Sequence, residues 1–390
     1  MRAQDLALQR DKYKHLSDEE WRWLLQQVDG RERTTDKLPT FAAIEDWWYP
    51  VRLSCEQCSS ELTAKYKAQI IHHPFEITDG RFVDLTAGYG VDTYFLSELF
   101  THTDYVEQNA ELCRIAEHNF SRPTPSLPKG KEISVHNTTA EEFLKTAGAY
   151  DLIFADPARR DNHGGKVFKL ADCTPNIVEL LPTLLEHLTP KGRIMLKLSP
   201  MLDLSQALKE LSFVHSTLSP CTLTWDIHVV AVKNEVKEVL LLSGGNGTIT
   251  AIDLAKKDQA FVFTKDEERE ASFLPFHGEL EGAFLYEPNA AILKAGAYKL
   301  VAQRFGLQKL DVNTHLYASN QLIENFPGRV WEINEPTQTL PEGKANILTR
   351  NYPLTAEQLK KKLHLKDGGT AFVIGCRMNG KPTLFRAKRV

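Results

Sequence analysis

Short apolar runs recur through the middle of the chain, and three of them stop on an acid: Phe82-Val83-Asp84, Tyr105-Val106-Glu107 and Leu152-Ile153-Phe154-Ala155-Asp156. Runs this short between helix-patterned stretches predict buried strands. Strands are expected near 81–85, 103–106, 132–135, 150–155, 193–198, 222–232 and 236–243, alternating with helices as in a parallel sheet covered on both faces. The last two are joined by Lys233-Asn234-Glu235, so this sheet closes in a hairpin. Residues 1–75 read as helical, with Ser17-Asp18-Glu19-Glu20 capping a helix that carries Trp21, Trp23, Leu24 and Leu25. Trp47, Trp48 and Tyr49 then read as a hydrophobic staple onto the next domain.

A composition shift at Ser243-Gly244-Gly245-Asn246-Gly247 ends the central unit, and the lysine- and acid-rich stretches around 256 and 265 read as hydrophilic connection. From about 280 the pattern restarts. Phe284-Leu285-Tyr286 predicts a strand, and Glu287-Pro288-Asn289 opens a helix running through Val301 to Gly306, with Glu287 and Asn289 as caps. Near the end come a helix at 355–363 and a hairpin turning at Asn379-Gly380, a dipeptide suited to a tight two-residue turn. The expected domains are 1–75, 76–245, 246–314 and 315–390.

Candidate chemistry gathers at the strand ends. Gly88 and Gly90 follow Asp84 where a strand turns into a helix beginning near Asp92; lacking a Cβ, they permit unusual dihedrals and close approach of a ligand to the main chain. Glu107 lies some 20 residues beyond the turn, where a carboxylate can accept hydrogen bonds from both hydroxyls of a nucleoside ribose. Asp156-Pro157 ends a further strand, so three acids are expected around one crevice.

The stretch Asp84-Leu85-Thr86-Ala87-Gly88-Tyr89-Gly90-Val91-Asp92 resembles the cofactor loop of small-subunit rRNA guanine-N2 methyltransferases, and Ile115-Ala116-Glu117-His118-Asn119 is similar to trimethylguanosine synthases. Over roughly 75–390 the chain resembles bacterial methyltransferase-like proteins that end in a ferredoxin-like piece and a THUMP-like domain. The resemblance implies a Rossmann-like, seven-stranded class I α/β sheet, with a helical segment before it and small α+β domains after it. It implies S-adenosyl-L-methionine as cofactor, held by Asp84, Thr86, Ala87, Gly88, Tyr89, Gly90 and Glu107, with Tyr89 lying over it. Where the family places an adenine-binding aspartate this chain has Thr139, so Thr139 or Asn137 is expected to serve. Asp156, Pro157 and Arg159 are the candidate catalytic residues, and Arg159, Arg160 and Lys197 the candidate substrate contacts. In amino-methylating relatives an acid-Pro-Pro-aromatic motif holds the amine; here Ala158 and Arg159 replace the second proline and the ring.

Asp-Pro-Ala-Arg also resembles the motif of uridine-C5 methyltransferases, which need a thiolate; Cys173 and Cys221 are the candidates. A non-catalytic RNA-binding protein that keeps the fold, and methylation of protein or a small molecule, stay open as further alternatives. With 390 residues, 42% hydrophobic content and a net charge of −4, the chain supports two or three domains without a global basic field. RNA (tRNA or rRNA) is therefore expected to meet a local patch: Lys344, Arg350, Lys360, Lys361, Lys362, Arg377, Lys381, Arg386, Lys388 and Arg389 make the last stretch basic. Cys55 and Cys58 have metal-ligand spacing but no second pair, so no metal is expected. No run is apolar enough for a membrane span and no secretory leader is evident, which points to the cytoplasm. Oligomeric state is not legible.

Overall fold

The structure is a computed structural model that describes residues 2–72, 80–121, 132–159, 169–218, 223–278, 280–336 and 343–390. His73, Arg160, Cys221 and the glycine-containing stretch 161–166 fall outside the described residues. The chain divides into two units, Met1–Trp225 with Leu240–Gly244, and Asp226–Val239 with Gly245–Val390.

All seven expected central strands form: β1 Arg81–Asp84, β2 His102–Glu107, β3 Glu132–Asn137, β4 Tyr150–Ala155, β5 Leu188–Leu198, β6 Trp225–Val232 and β7 Glu235–Ser243. In the first unit the order is β3-β2-β1-β4-β5-β7, where β7 contributes its Leu240–Ser243 end. The pairings β1–β2, β1–β4, β2–β3 and β4–β5 are all parallel. Parallel strands in register deliver their carboxy-terminal ends to one edge, and this is why Asp84, Glu107 and Asp156 come together despite wide separation in sequence. Phe82, Leu152, Phe154 and Met195 pack with Leu96 and Phe100 on one side of the sheet, while Tyr105 packs with Cys113 and Ala116.

The amino-terminal residues are helical as expected. Ser17 and Glu20 form a reciprocal capping box that opens the helix Asp18–Thr34. Phe41, Trp47 and Tyr49 pack with Tyr89, Tyr94 and Phe95, the hydrophobic staple anticipated from the aromatic cluster. Cys55 and Cys58 bond backbone carbonyls, of Pro50 and Cys55 respectively.

In the second unit, β6 and the start of β7 form the expected hairpin, with Lys233 and Asn234 both at positive φ. Strands Thr248–Asp253 and Phe261–Thr264 occupy part of the stretch expected as hydrophilic connection. Ile249, Ala251, Phe261 and Phe263 are buried there, an alternation that the flanking lysines obscured. The expected single helix after Asn289 is two, Ala290–Ala295 and Lys299–Arg304, because Gly296 takes a left-handed conformation and caps the first. Asn289 is indeed a cap, accepting from the Ile292 N–H, whereas Glu287 is instead the buried acceptor for Arg329 and Arg350. An eight-stranded sheet runs from Leu274–Pro275 at one edge, through the carboxy-terminal hairpin Ala371–Met378 and Lys381–Arg389, to Asn346–Arg350 at the other. Among the described residues no helix is long and apolar enough to cross a membrane.

Candidate functional site

The glycine turn is built as its sequence requires. Gly88 has φ +56° and Gly90 φ +78°, and a Cβ on Gly90 would come within 2.7 Å of the Phe120 ring. The helix Val91–Ser97 starts there with every residue buried. The Gly88 N–H donates to Glu107 Oε2 at 2.9 Å, and the Asn109 N–H donates to Oε1 at 2.8 Å, so the carboxylate at the end of β2 is oriented by two backbone groups. An ionised carboxyl has about four acceptor positions, which leaves roughly two for a ligand.

Asp84 is 1% exposed. Its two oxygens accept from the Thr86 N–H at 3.0 Å and the Thr93 hydroxyl at 2.7 Å, which ties the strand end to the helix that follows. Burial nevertheless pushes its pKa up to about 7, further than those two bonds hold it down. The Thr86 hydroxyl accepts from the Asp156 N–H at 2.7 Å and so couples the ends of β1 and β4.

Around these residues lies a cleft of about 340 Å³, lined by Asp84, Thr86, Ala87, Gly88, Tyr89, Glu107, Thr139, Asp156 and Lys197 among others. The three acids anticipated from the strand ends thus share one cavity. Its size falls within the range of small-molecule sites. Gly90 shapes the turn from beside the cleft.

Other candidates are placed differently. The Tyr89 ring packs in the aromatic cluster, and its hydroxyl accepts from Trp47 Nε1 at 2.9 Å and donates to the Trp48 carbonyl at 3.2 Å. Its hydroxyl is bonded to the amino-terminal segment, and the residue also lines the cleft. The Asn137 amide donates to the carbonyls of Glu107 and Gln108, bracing the end of β2. Thr139 caps the helix Ala140–Leu144 and faces the cleft. Pro157 is buried, and Ala158–Arg159 pairs with Cys173–Thr174 as a short antiparallel ladder. Cys173 is fully buried. Lys197, expected as a substrate contact, lines the cleft and ion-pairs with Asp156 Oδ2 at 2.5 Å.

Two features were missed from sequence. Ser54, Gln57, Cys58 and Ser59, from the amino-terminal segment, form a wall of the cleft. Asp92 joins them: its Oδ1 lies 3.2 Å from Lys67 Nζ, its Oδ2 accepts from the Ser59 hydroxyl at 2.6 Å, and Oδ2 also stands 3.6 Å from Lys197 Nζ. Burial opposes its ionisation, but Lys67 and Lys197 hold Asp92 below the usual carboxylate range. The available signal was a charge on an apolar face, Asp92 among Val91, Tyr94 and Phe95, and Lys67 in line with Ala64 and Ile71.

Residues 284–327 match the model of a ferredoxin-like domain, and 324–389 match a THUMP domain-like model. A crystal structure from Porphyromonas gingivalis, presented as that of a candidate methyltransferase, is 33% identical, covers 96% of this chain and 92% of its own, and superposes with a TM-score of 0.80. A Mycobacterium tuberculosis protein described as an uncharacterized S-adenosylmethionine-dependent methyltransferase is 22% identical over 371 residues, 91% of this chain and 92% of that protein.

Proposed function

Because the chain belongs to the S-adenosylmethionine-dependent methyltransferases that end in ferredoxin-like and THUMP-like modules, we propose that it methylates a base nitrogen of tRNA or rRNA in the cytoplasm, with those modules docking the RNA. The cofactor is S-adenosyl-L-methionine, and the cleft fits it: glycine backbone at positive φ, an oriented carboxylate with spare acceptor capacity and a volume of about 340 Å³. When bound, it supplies a methyl group on a sulfonium, a leaving group good enough that no strong base is needed.

The chain's own contribution is then holding and orientation. Glu107 would hold the ribose hydroxyls, and Gly88 with Ala87 the adjoining part of the cofactor. Thr139 would face the adenine, with Asn137 positioning the loop. Asp84, both of whose oxygens are bonded within the turn, shapes the pocket around the methionine end. Asp156 is the group that would orient the target amine. Lys197 occupies its Oδ2, while Oδ1 accepts no hydrogen bond from the described residues and faces the role of taking an N–H. Arg159, at the place of the family's aromatic ring, can stack on a base plane or pair with phosphate.

The observation carrying this reading is Asp156 at the end of β4, in the same cleft as Glu107 and the glycine turn. Burial of Cys173 weighs against that residue as the thiolate of the uridine-C5 alternative. The test is methyl transfer from labelled cofactor to RNA isolated from cells lacking this protein, followed by nucleoside mass analysis. Label should appear in one methylated nucleoside with the parent chain and vanish with Asp156→Ala. Label in no RNA would overturn the RNA assignment, and an unaffected Asp156→Ala would overturn the role of the acid.

A further inference from the structure

Four charged side chains run from the amino-terminal segment into the cleft in alternating sign. Lys67, on the helix Glu61–His72, is fully buried; Asp92 is 8% exposed; the Lys197 side chain is 13% exposed and that of Asp156 37%. The contacts are 3.2 Å from Lys67 to Asp92, 3.6 Å from Asp92 to Lys197 and 2.5 Å from Lys197 to Asp156. The Ser59 hydroxyl donates to Asp92 and accepts from Lys67 at 3.5 Å. Formally the four sum to zero.

Burying a lysine is costly unless an anion compensates it, and an apolar residue would fill the space beside Ala64 and Ile71 at lower cost. The position of the chain gives the charges a use. Asp92, Lys197 and Asp156 all line the cleft that takes a sulfonium cation. An ammonium there repels the charged methyl donor unless it is neutralised, whereas the product of transfer, S-adenosylhomocysteine, is a neutral thioether at the same sulfur. The balance of charge at Lys197 therefore bears on one ligand and not on the other.

We propose that Lys67 and Asp92 are positioning residues that act through Lys197 to set the charge facing the sulfur of the cofactor, and so the preference of the cleft for charged donor over neutral product. Asp92 and Asp156 share the Lys197 ammonium between them. Lys67, by neutralising part of Asp92, determines how much of that ammonium is left to Asp156. The inference rests on the cofactor assignment and is independent of which macromolecule is methylated.

The test is calorimetric titration of the full chain with S-adenosylmethionine and with S-adenosylhomocysteine, comparing the ratio of the two affinities. Lys67→Met leaves the group one charge more negative and should raise the ratio in favour of the donor, roughly threefold or more for a unit charge several ångströms away across a partly wet cleft. Asp92→Asn leaves it one charge more positive and should move the ratio by a similar factor the other way. The double variant Lys67→Met/Asp92→Asn restores neutrality and should return close to the parent. If Lys67→Met does not fold, Asp92→Asn and the double variant still decide the matter. A purely architectural ion pair would weaken both ligands together and leave the ratio unmoved, which would overturn the inference alone. Absence of binding of either ligand to the parent chain would overturn the cofactor assignment as well.

Discussion

At the level of single residues, Asp84 links burial to pH. Its ordinary carboxyl would titrate near 4, but in the folded chain it titrates near 7 because desolvation outweighs the bonds from Thr93 and Thr86. A carboxyl whose folded pKa is raised favours folding below the unfolded value and loses that contribution as pH rises through the folded one. Between about pH 4 and 7 the loss from this one group amounts to at most about 4 kcal/mol. Asp84→Asn should abolish it. The ligand-free variant is expected to match its parent near pH 4 and exceed it in stability at pH 8, measured by urea denaturation. A difference that stays constant across that range would mean that Asp84 is not a buried proton acceptor.

At the level of elements, the strand-turn-helix from Arg81 to Ser97 depends on two glycines that do different work. Gly90 combines a left-handed backbone with a Cβ position only 2.7 Å from Phe120, so Gly90→Ala carries both strain and a clash. Gly88→Ala carries the strain but meets nothing closer than the Thr86 carbonyl at 3.9 Å. Left-handed strain alone costs about 1–2 kcal/mol. Denaturant midpoints should therefore fall further for Gly90→Ala. Cofactor affinity should suffer for Gly88→Ala even where it remains folded, because Gly88 lines the cleft and its N–H orients Glu107. The carboxy-terminal hairpin obeys the same local rule, with Asn379 at φ 47° and Gly380 at φ 79°. Its tip is also anchored by tertiary bonds: the Gly380 N–H donates to Asp311, and the Asn379 amide to the Phe276 carbonyl.

For the molecule as a whole, net charge is −4, so any attraction for RNA has to be local. The carboxy-terminal cations are not equivalent. Arg350 is bound to Glu287, Lys360 to Asp367 and Arg377 to the Gly380 carbonyl, while Lys381, Lys388 and Arg389 are exposed along one strand. Replacing these last three by alanine should leave the denaturation midpoint nearly unchanged and weaken binding of single-stranded RNA, with the log–log salt dependence shallower by up to about 0.7 per cation removed. RNA binding that is equally salt-dependent in the triple variant would place the docking surface elsewhere. Arg350→Ala is expected to act chiefly on stability, since it strips a partner from a buried carboxylate.

Much of this was legible along the chain because it is decided locally. Apolar runs of strand length, paired glycines at a turn, a capping box at Ser17 and an Asn-Gly hairpin each depend on a few neighbouring residues, and the parallel alternation then sends Asp84, Glu107 and Asp156 to one edge. What the sequence could not decide was the partner of each charge. Lys67 and Asp92 are 25 positions apart and look like a solvated lysine and a helix-opening acid until packing removes water from both. Nothing in the sequence names Asp156 as the partner of Lys197; β5 lying beside β4 sets the two together. Nor does the sequence name Trp47 and Trp48 as the partners of the Tyr89 hydroxyl. Backbone preferences are short-range, so the order of residues determines them; burial and ion pairing depend on which distant segments share the same dry space, and only the folded chain decides that.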